Sequence, residues 1–310
     1  MATYHGRTGA IGLGEESTWG TAVASSVWRP LISGSLLRNV SRIPNTDLMA
    51  GAAMPRRHFT ESEEAGGSIE LLATYDNVGI LVKAALGALA TTGAGPYTHT
   101  YTMASTLPSL TMELIRGTAT NSEAFEGCKV ASITFECSAG SEMTISAEII
   151  AETAAARSAA STPSFSSTET IVLHHQATAI NFNSANYDLA SFRLTLTNSI
   201  ARRQLLGSKL TQEPLRSDFA SVECAVTLEA TDVLYTALHA DTQGDAEITW
   251  ASGADSIVFT IQNAWISEAS DPISGAGIVT QDVVFNGESD GTDHGLKIAI
   301  TNAQSSGISN

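Results

Sequence analysis

The sequence predicts a mainly β protein made of two tandem β-rich modules, each carrying one short helix. Three observations carry that expectation. Most of the 310 residues read in period 2, only two segments read as helices, and the same order of elements occurs in both halves. Alternation of apolar and polar residues marks half-buried antiparallel strands.

Taken in order, Ser109–Gly117 sets Leu110, Met112 and Leu114 against Thr111, Glu113 and Ile115. Ser132–Ser138 puts Ile133, Phe135 and Cys137 on one face. Glu142–Ile150 sets Met143, Ile145, Ala147 and Ile149 against Glu142, Thr144, Ser146 and Glu148. Ser191–Thr197, Ser221–Leu228, Ala246–Trp250, Ser256–Gln262 and Gly277–Phe285 behave alike. The first helix is NVGILVKAALG, with Val78, Leu81, Val82 and Leu86 on one side, Asp76 as its N-cap and Gly87 as its stop. The second is VLYTALHA, with Leu234, Ala237 and Leu238 on one side and Asp232 as its N-cap.

Each helix follows directly on a strand, SIELLATYD in one half and SVECAVTLEATD in the other. Each half opens on a strand with an irregular Arg-containing stretch and closes on a hairpin. That repeat of element order reads as a duplicated module. Residues 1–155 form the first module with an N-terminal arm. Residues 156–167, small, polar and Pro-containing, form a linker, and 168–310 form a second, degenerate module.

Composition narrows the function classes. Sixteen Lys and Arg against 32 Asp and Glu give a net charge of −16. A groove-reading nucleic-acid binder needs the opposite balance, and so does a protein docked on an anionic membrane. From Asp218 onward there are 14 acidic residues against Lys297 alone. Three cysteines, Cys128, Cys137 and Cys224, make no disulfide framework and read as buried thiols of a reducing compartment. The N-terminal residues have no apolar secretory core. The longest apolar stretch, Val78–Ala90, contains Lys83 and is too short to span a bilayer.

No nucleophile elbow, phosphate loop, dinucleotide fingerprint or metal-spaced His/Cys set is present. No catalytic residue, metal or cofactor is therefore expected. His174 and His175, placed on a strand, would face opposite sides of it and suit a metal poorly. Gly287–Gly295, with Asp290 and Asp293, reads as a solvated turn rather than a calcium loop. The long stretch 38–67 has little periodicity and carries Arg56, Arg57 and His58 followed by Glu61, Glu63 and Glu64. A loop of that length is usually functional, and these opposite charges suit an arm docked on a neighbouring subunit.

Four stretches resemble the tail tube proteins of long-tailed, siphovirus-like bacteriophages. They are GAIGLGEESTWGTAVASS, YDNVGILVKAALG, YTHTYTMASTLPSLTMELIRG and EGCKVASITFECSAGSEMTISAEIIAE, in that order. The resemblance is good over residues 10–155 and degenerate beyond. It implies a β-sandwich or partial barrel with a flanking helix. It also implies rings that close a β-barrel around a DNA channel and stack into a tube, with arms reaching the next ring. A duplicated chain of this family implies a homotrimeric, pseudo-hexameric ring; without the duplication a hexamer returns. The implied partners are the chain itself, a tape-measure protein, the tail terminator and distal tail proteins, with phage DNA passing unbound. The implied place is the virion tail, assembled in the host cytoplasm.

Within that picture the polar faces of the hairpin strands supply candidate lumen-facing acids: Glu113, Glu136, Glu148, Glu247 and Asp282. An acidic wall repels phosphate instead of exchanging counterions for it. A carbohydrate-binding or carbohydrate-hydrolysing β-sandwich, with a carboxylate pair for acid–base work, is the alternative.

Overall fold

A computed structural model describes residues 5–45, 54, 57–117, 122–155, 161–166, 169–272, 278–291 and 294–308. In the first half the strands are β1 (Ala10–Glu15), β2 (Val27–Pro30), β3 (Ser33–Gly34), β4 (Leu37–Pro44) and β5 (His58–Leu72), followed by helix α1 (Gly79–Leu86). There follow β6 (Gly87–Thr92), β7 (Tyr97–Met103), β8 (Leu110–Ile115), β9 (Ser122–Ser138), β10 (Thr144–Ala151) and β11 (Thr153–Ala154). The second half holds β12 (Ile180–Phe182), β13 (Ala185–Tyr187), β14 (Leu189–Thr197), β15 (Ile200–Arg203), β16 (Gln212–Arg216) and β17 (Ser221–Glu229). After helix α2 (Asp232–His239) come β18 (Gln243–Ser252), β19 (Asp255–Ser270), β20 (Thr280–Asn286) and β21 (Leu296–Asn302). The protein is mainly β, as the alternation requires.

One pairing pattern occurs twice. In the first half β8 pairs β9, β9 pairs β10 and β10 pairs β5. In the second, β18 pairs β19, β19 pairs β20 and β20 pairs β17. Both long strands carry a bulge where they turn from one partner to the next. Ala131 is the extra residue opposite Glu148/Ile149, and Ser267 the extra residue opposite Val284/Phe285. A bulge bends a strand and sharpens its twist, so one strand can serve two sheet regions.

The halves are joined edge to edge. β14 lies antiparallel on the last part of β9, from Ser191↔Ser138 to Thr197↔Ser132. β21 also pairs β7. The core crosses that junction: Phe135, Phe192, Trp250 and Phe259 are all buried. Phe135 and Phe259 pack edge-on with centroids 4.9 Å apart, and Phe192 lies 4.9 Å from Trp250. Two sheet layers thus share their inner faces as a sandwich, each ring contributing about 1.5–3 kcal/mol of burial. Asn198 fastens the seam. Its Nδ2 donates to the Ala85 and Val130 carbonyls, while its Oδ1 accepts from Arg216.

Four local expectations are corrected. Asp76 is not the cap of α1: the helix begins at Gly79, and Val78 stands at the N-cap without a side-chain bond. Asn77, at φ 60°, turns the chain between Asp76 and the helix, with its amide bonded to Glu169. Asp232 is not a cap either, because Thr231 holds that position and Asp232 is the first helical residue. The stretch 38–67 is not irregular. Its described residues form an antiparallel hairpin, β4 on β5, from Leu37↔Gly66 to Pro44↔His58. No residue of β4 is buried, so no apolar alternation betrays it. His174 and His175 lie in a 3₁₀ turn rather than on a strand.

Candidate functional site: a polar sheet face and two arms

Because directly opposed residues point the same way, the ladders of β5, β10, β9, β14, β17, β20 and β19 define one continuous face. Across it run Glu148 between Ser68 and Ser132, and Glu136 opposite both Thr144 and Arg193. Asp282 stands between Thr227 and Ser270, with the Thr227 hydroxyl donating to its Oδ1 at 2.7 Å. Besides Arg193, Ala225 and Val284, the neighbours on these rungs include Ser, Thr and further carboxylates: Glu70 opposite Ser146, Glu223 opposite Thr195, and Glu268 opposite Val284. The other side of the same strands carries the buried set Ile133, Ile145, Leu194, Val226 and Phe285. Alternation alone therefore produces a wide, acidic, solvent-facing sheet over a dry core.

Of the five candidate acids, Glu136, Glu148 and Asp282 are brought together on this face. Glu113 and Glu247 stand apart from it, on β8 and β18. They match each other: Glu113 lies opposite Ala124 of β9, and Glu247 opposite Thr260 of β19. Glu113 accepts the Ser161 amide at 3.2 Å, and Glu247 accepts the Thr260 hydroxyl. Glu70, Glu223 and Glu268 were not singled out by sequence, although period-2 counting from their buried neighbours would have placed them.

The arm leaves the sheet at Gly66 and Gly67. Both have φ near +140°, and an added Cβ would meet the Ile149 carbonyl at 2.3 Å from Gly66 and the Ser35 carbonyl at 2.6 Å from Gly67. Beyond them the guanidinium of Arg57 stacks 5.3 Å over the Phe59 ring. Ser41 donates to Glu61, His58 is exposed opposite Pro44, and Glu64 is half-buried opposite Asn39. Arg56 lies outside the described residues. Glu63 departs from the expected subunit contact, being buried and bound within its own chain by Arg38 and Lys209. Lys209 belongs to a second arm, built from β15 and β16. Two further bonds tie the arms, the Glu63 amide donating to the Lys209 carbonyl and the Arg202 guanidinium to the Ala65 carbonyl.

Two further charged groups are buried. Arg29 is buried, 3.2 Å from Glu169, and donates also to Thr74 and to the Leu72 carbonyl. Glu16 is buried and accepts from the Gly20 and Gly127 amides and the Thr111 hydroxyl. Burial first, then the Glu16 charge, raises the carboxyl of Glu126; burial, Glu126 and Glu16 raise that of Glu152. All three cysteines are free and buried. Among the described residues no group of three or more His, Cys, Asp or Glu could hold a metal, and no helix is long and apolar enough to cross a membrane.

A broad acidic sheet, sheet edges open to solvent and paired hairpin arms are the features of a structural β protein made for assembly. The sequence profile of the phage tail tube proteins matches residues 6–287, and the chain belongs to that family. Its place is accordingly the phage tail, as a subunit that assembles with itself into the tube. No curated protein matches it.

Proposed function

We propose that this chain forms rings that stack into a hollow tube and that the continuous acidic face lines the channel for phage DNA. The observation that carries this reading is the run of Glu70, Glu136, Glu148, Glu223, Glu268 and Asp282 along one solvent-facing side of seven adjoining strands. Carboxylates repel phosphate, so DNA slides past without specific binding. The chain performs no catalysis in this role.

The twice-used pairing pattern supports two modules, 1–155 and 168–310 with 156–167 between them, so that three chains present six similar units. Arg57, His58, Glu61 and Glu64, together with Arg56, then serve contacts to the next ring. The tube grows on a tape-measure protein in the host cytoplasm and meets the terminator and distal tail proteins at its ends. Electron microscopy of the purified protein tests the tube, and native mass spectrometry of an isolated ring tests its size. Three chains of 32.4 kDa give about 97 kDa. A dispersed monomer would overturn the reading; a ring of six chains would overturn the trimer alone.

A further inference from the structure

The junction inside the chain supplies a template for the junction between chains. Within the chain, β8 runs along β9 until Leu110↔Cys128, and β14 then takes over the same edge of β9 beyond the Ala131 bulge. On β19 the partner β18 stops in the same way, at Gln243↔Trp265, just before the Ser267 bulge. Past that point β20 covers one edge of Ile266–Ser270, and among the described residues no strand pairs with the other. Ser267 and Glu268 are exposed.

A counterpart of β14 is present in the first half. Glu148 lies opposite Ser68 and Ser132, while Val284 lies opposite Ala225 and Glu268. Ser68 therefore matches Ala225, and Ser132 matches Glu268. Arg193 of β14 faces Ala225, and Ser35 donates its amide to the Ser68 carbonyl. Ser35 thus matches Arg193, and Leu37, Asn39 and Val40 match Thr195, Thr197 and Asn198. This segment pairs β5 on one edge, and no strand among the described residues covers its other edge. Leu37 is 55 % exposed there.

We infer, resting on the tube reading, that Leu37–Val40 of one chain pairs antiparallel with Ser267–Ser270 of a second copy, in the register of β14 on β9. Thr195↔Thr134 becomes Leu37↔Ser270, and Thr197↔Ser132 becomes Asn39↔Glu268. Each chain then offers one donor edge and one acceptor edge. Such a heterologous contact closes into a ring and removes both exposed edges.

The template also fixes which pairs are closest. The Asn198 amide bonds the Ala131 carbonyl at 2.8 Å, and the Ala139 amide bonds the Ala190 carbonyl at 2.9 Å. Thr195 and Thr134 fall between those hydrogen-bonded positions, and their hydroxyls are 3.2 Å apart. Cα atoms at such non-hydrogen-bonded sites are about 4.5 Å apart, within disulfide range. The native thiols are buried and leave a low background.

The test is oxidation of assembled tubes carrying Leu37→Cys with Ser270→Cys, read on a non-reducing gel. The expected result is an interchain ladder ending in a closed ring product, and dimers alone when chains bearing the single substitutions are mixed. Leu37→Cys with Ala269→Cys, one residue out of register, should not cross-link. Asn39→Cys with Glu268→Cys is the second in-register pair should the first fail to fold. Tubes that form normally yet cross-link at neither in-register pair, or equally at the shifted pair, overturn the register while sparing the tube. A wild-type chain that never assembles removes the tube reading and this inference together.

Discussion

Lys209 sits 2.5 Å from Glu63, Nζ to Oε1, so a buried carboxylate helps to pin one arm of the molecule to the other. Arg38 holds the remaining oxygen. These two cations, Lys209 foremost, lower the Glu63 carboxyl below its ordinary range. A depressed folded-state value means the contact stabilises at pH above the unfolded carboxylate value and is lost as pH falls through the folded one. Glu63→Gln should therefore quicken amide exchange around residues 205–211 at neutral pH. Lys209 is 56 % exposed, so the global loss should stay at about 1 kcal/mol or less. Unchanged exchange in that segment would contradict the pinning.

Arg29 carries a different expectation because it is buried. Its side chain is 4 % exposed and that of Glu169 is 15 % exposed. Arg29→Met leaves Glu169 without its counter-charge and should cost about 3–5 kcal/mol in denaturant unfolding. Adding Glu169→Met should recover much of that loss. A double variant no more stable than the single one would refute the account.

The carboxyls of Glu126 and Glu152 are raised by burial and by Glu16, which gives the opposite pH sign. Their ionised forms are disfavoured in the fold, so stability from protonation is present at low pH and lost as pH rises through the folded-state value. Glu152→Gln should thus raise the melting temperature at pH 7 slightly, by about 1 °C or less given its partial exposure, with the advantage fading towards pH 4. A gain that grows on acidification would sink this assignment.

Charge reversal on the sheet face tests the channel. Glu136→Lys with Glu148→Lys and Asp282→Lys should leave tubes intact, since all three side chains are exposed. DNA should then be retained at low salt and released as salt rises, the signature of phosphate contacts. Ejection kinetics identical to the parent across the salt range would place these acids elsewhere.

The strands of the sandwich were legible because each has one buried face. Ile133, Phe135 and Cys137 announce β9, and Val222, Cys224, Val226 and Leu228 announce β17. The arm hairpin was illegible for the same reason: β4 buries nothing within the chain, so its strand character leaves no apolar period. The Asp76 cap misled because Asn77 adopts a left-handed turn, which Asn tolerates, and so separates Asp76 from the helix. The pairing of Glu63 with Lys209 joins residues from opposite halves of the sequence, a relation that only the folded sheet creates. The acidic face was half legible, since alternation gave the outward positions but not which strands lie side by side.

The seam between β9 and β14 forms while the chain folds, at an effective concentration set by the covalent linkage rather than by how much protein is in solution. Separate modules would surrender translational and rotational freedom at every joint of a ring. A ring of fused modules meets that loss at every second joint only, because the alternate ones are closed before any two chains collide. In the proposed ring dilution should therefore act on half of the joints and leave the other half untouched, so that fusion of the halves would lower the concentration at which the first ring appears.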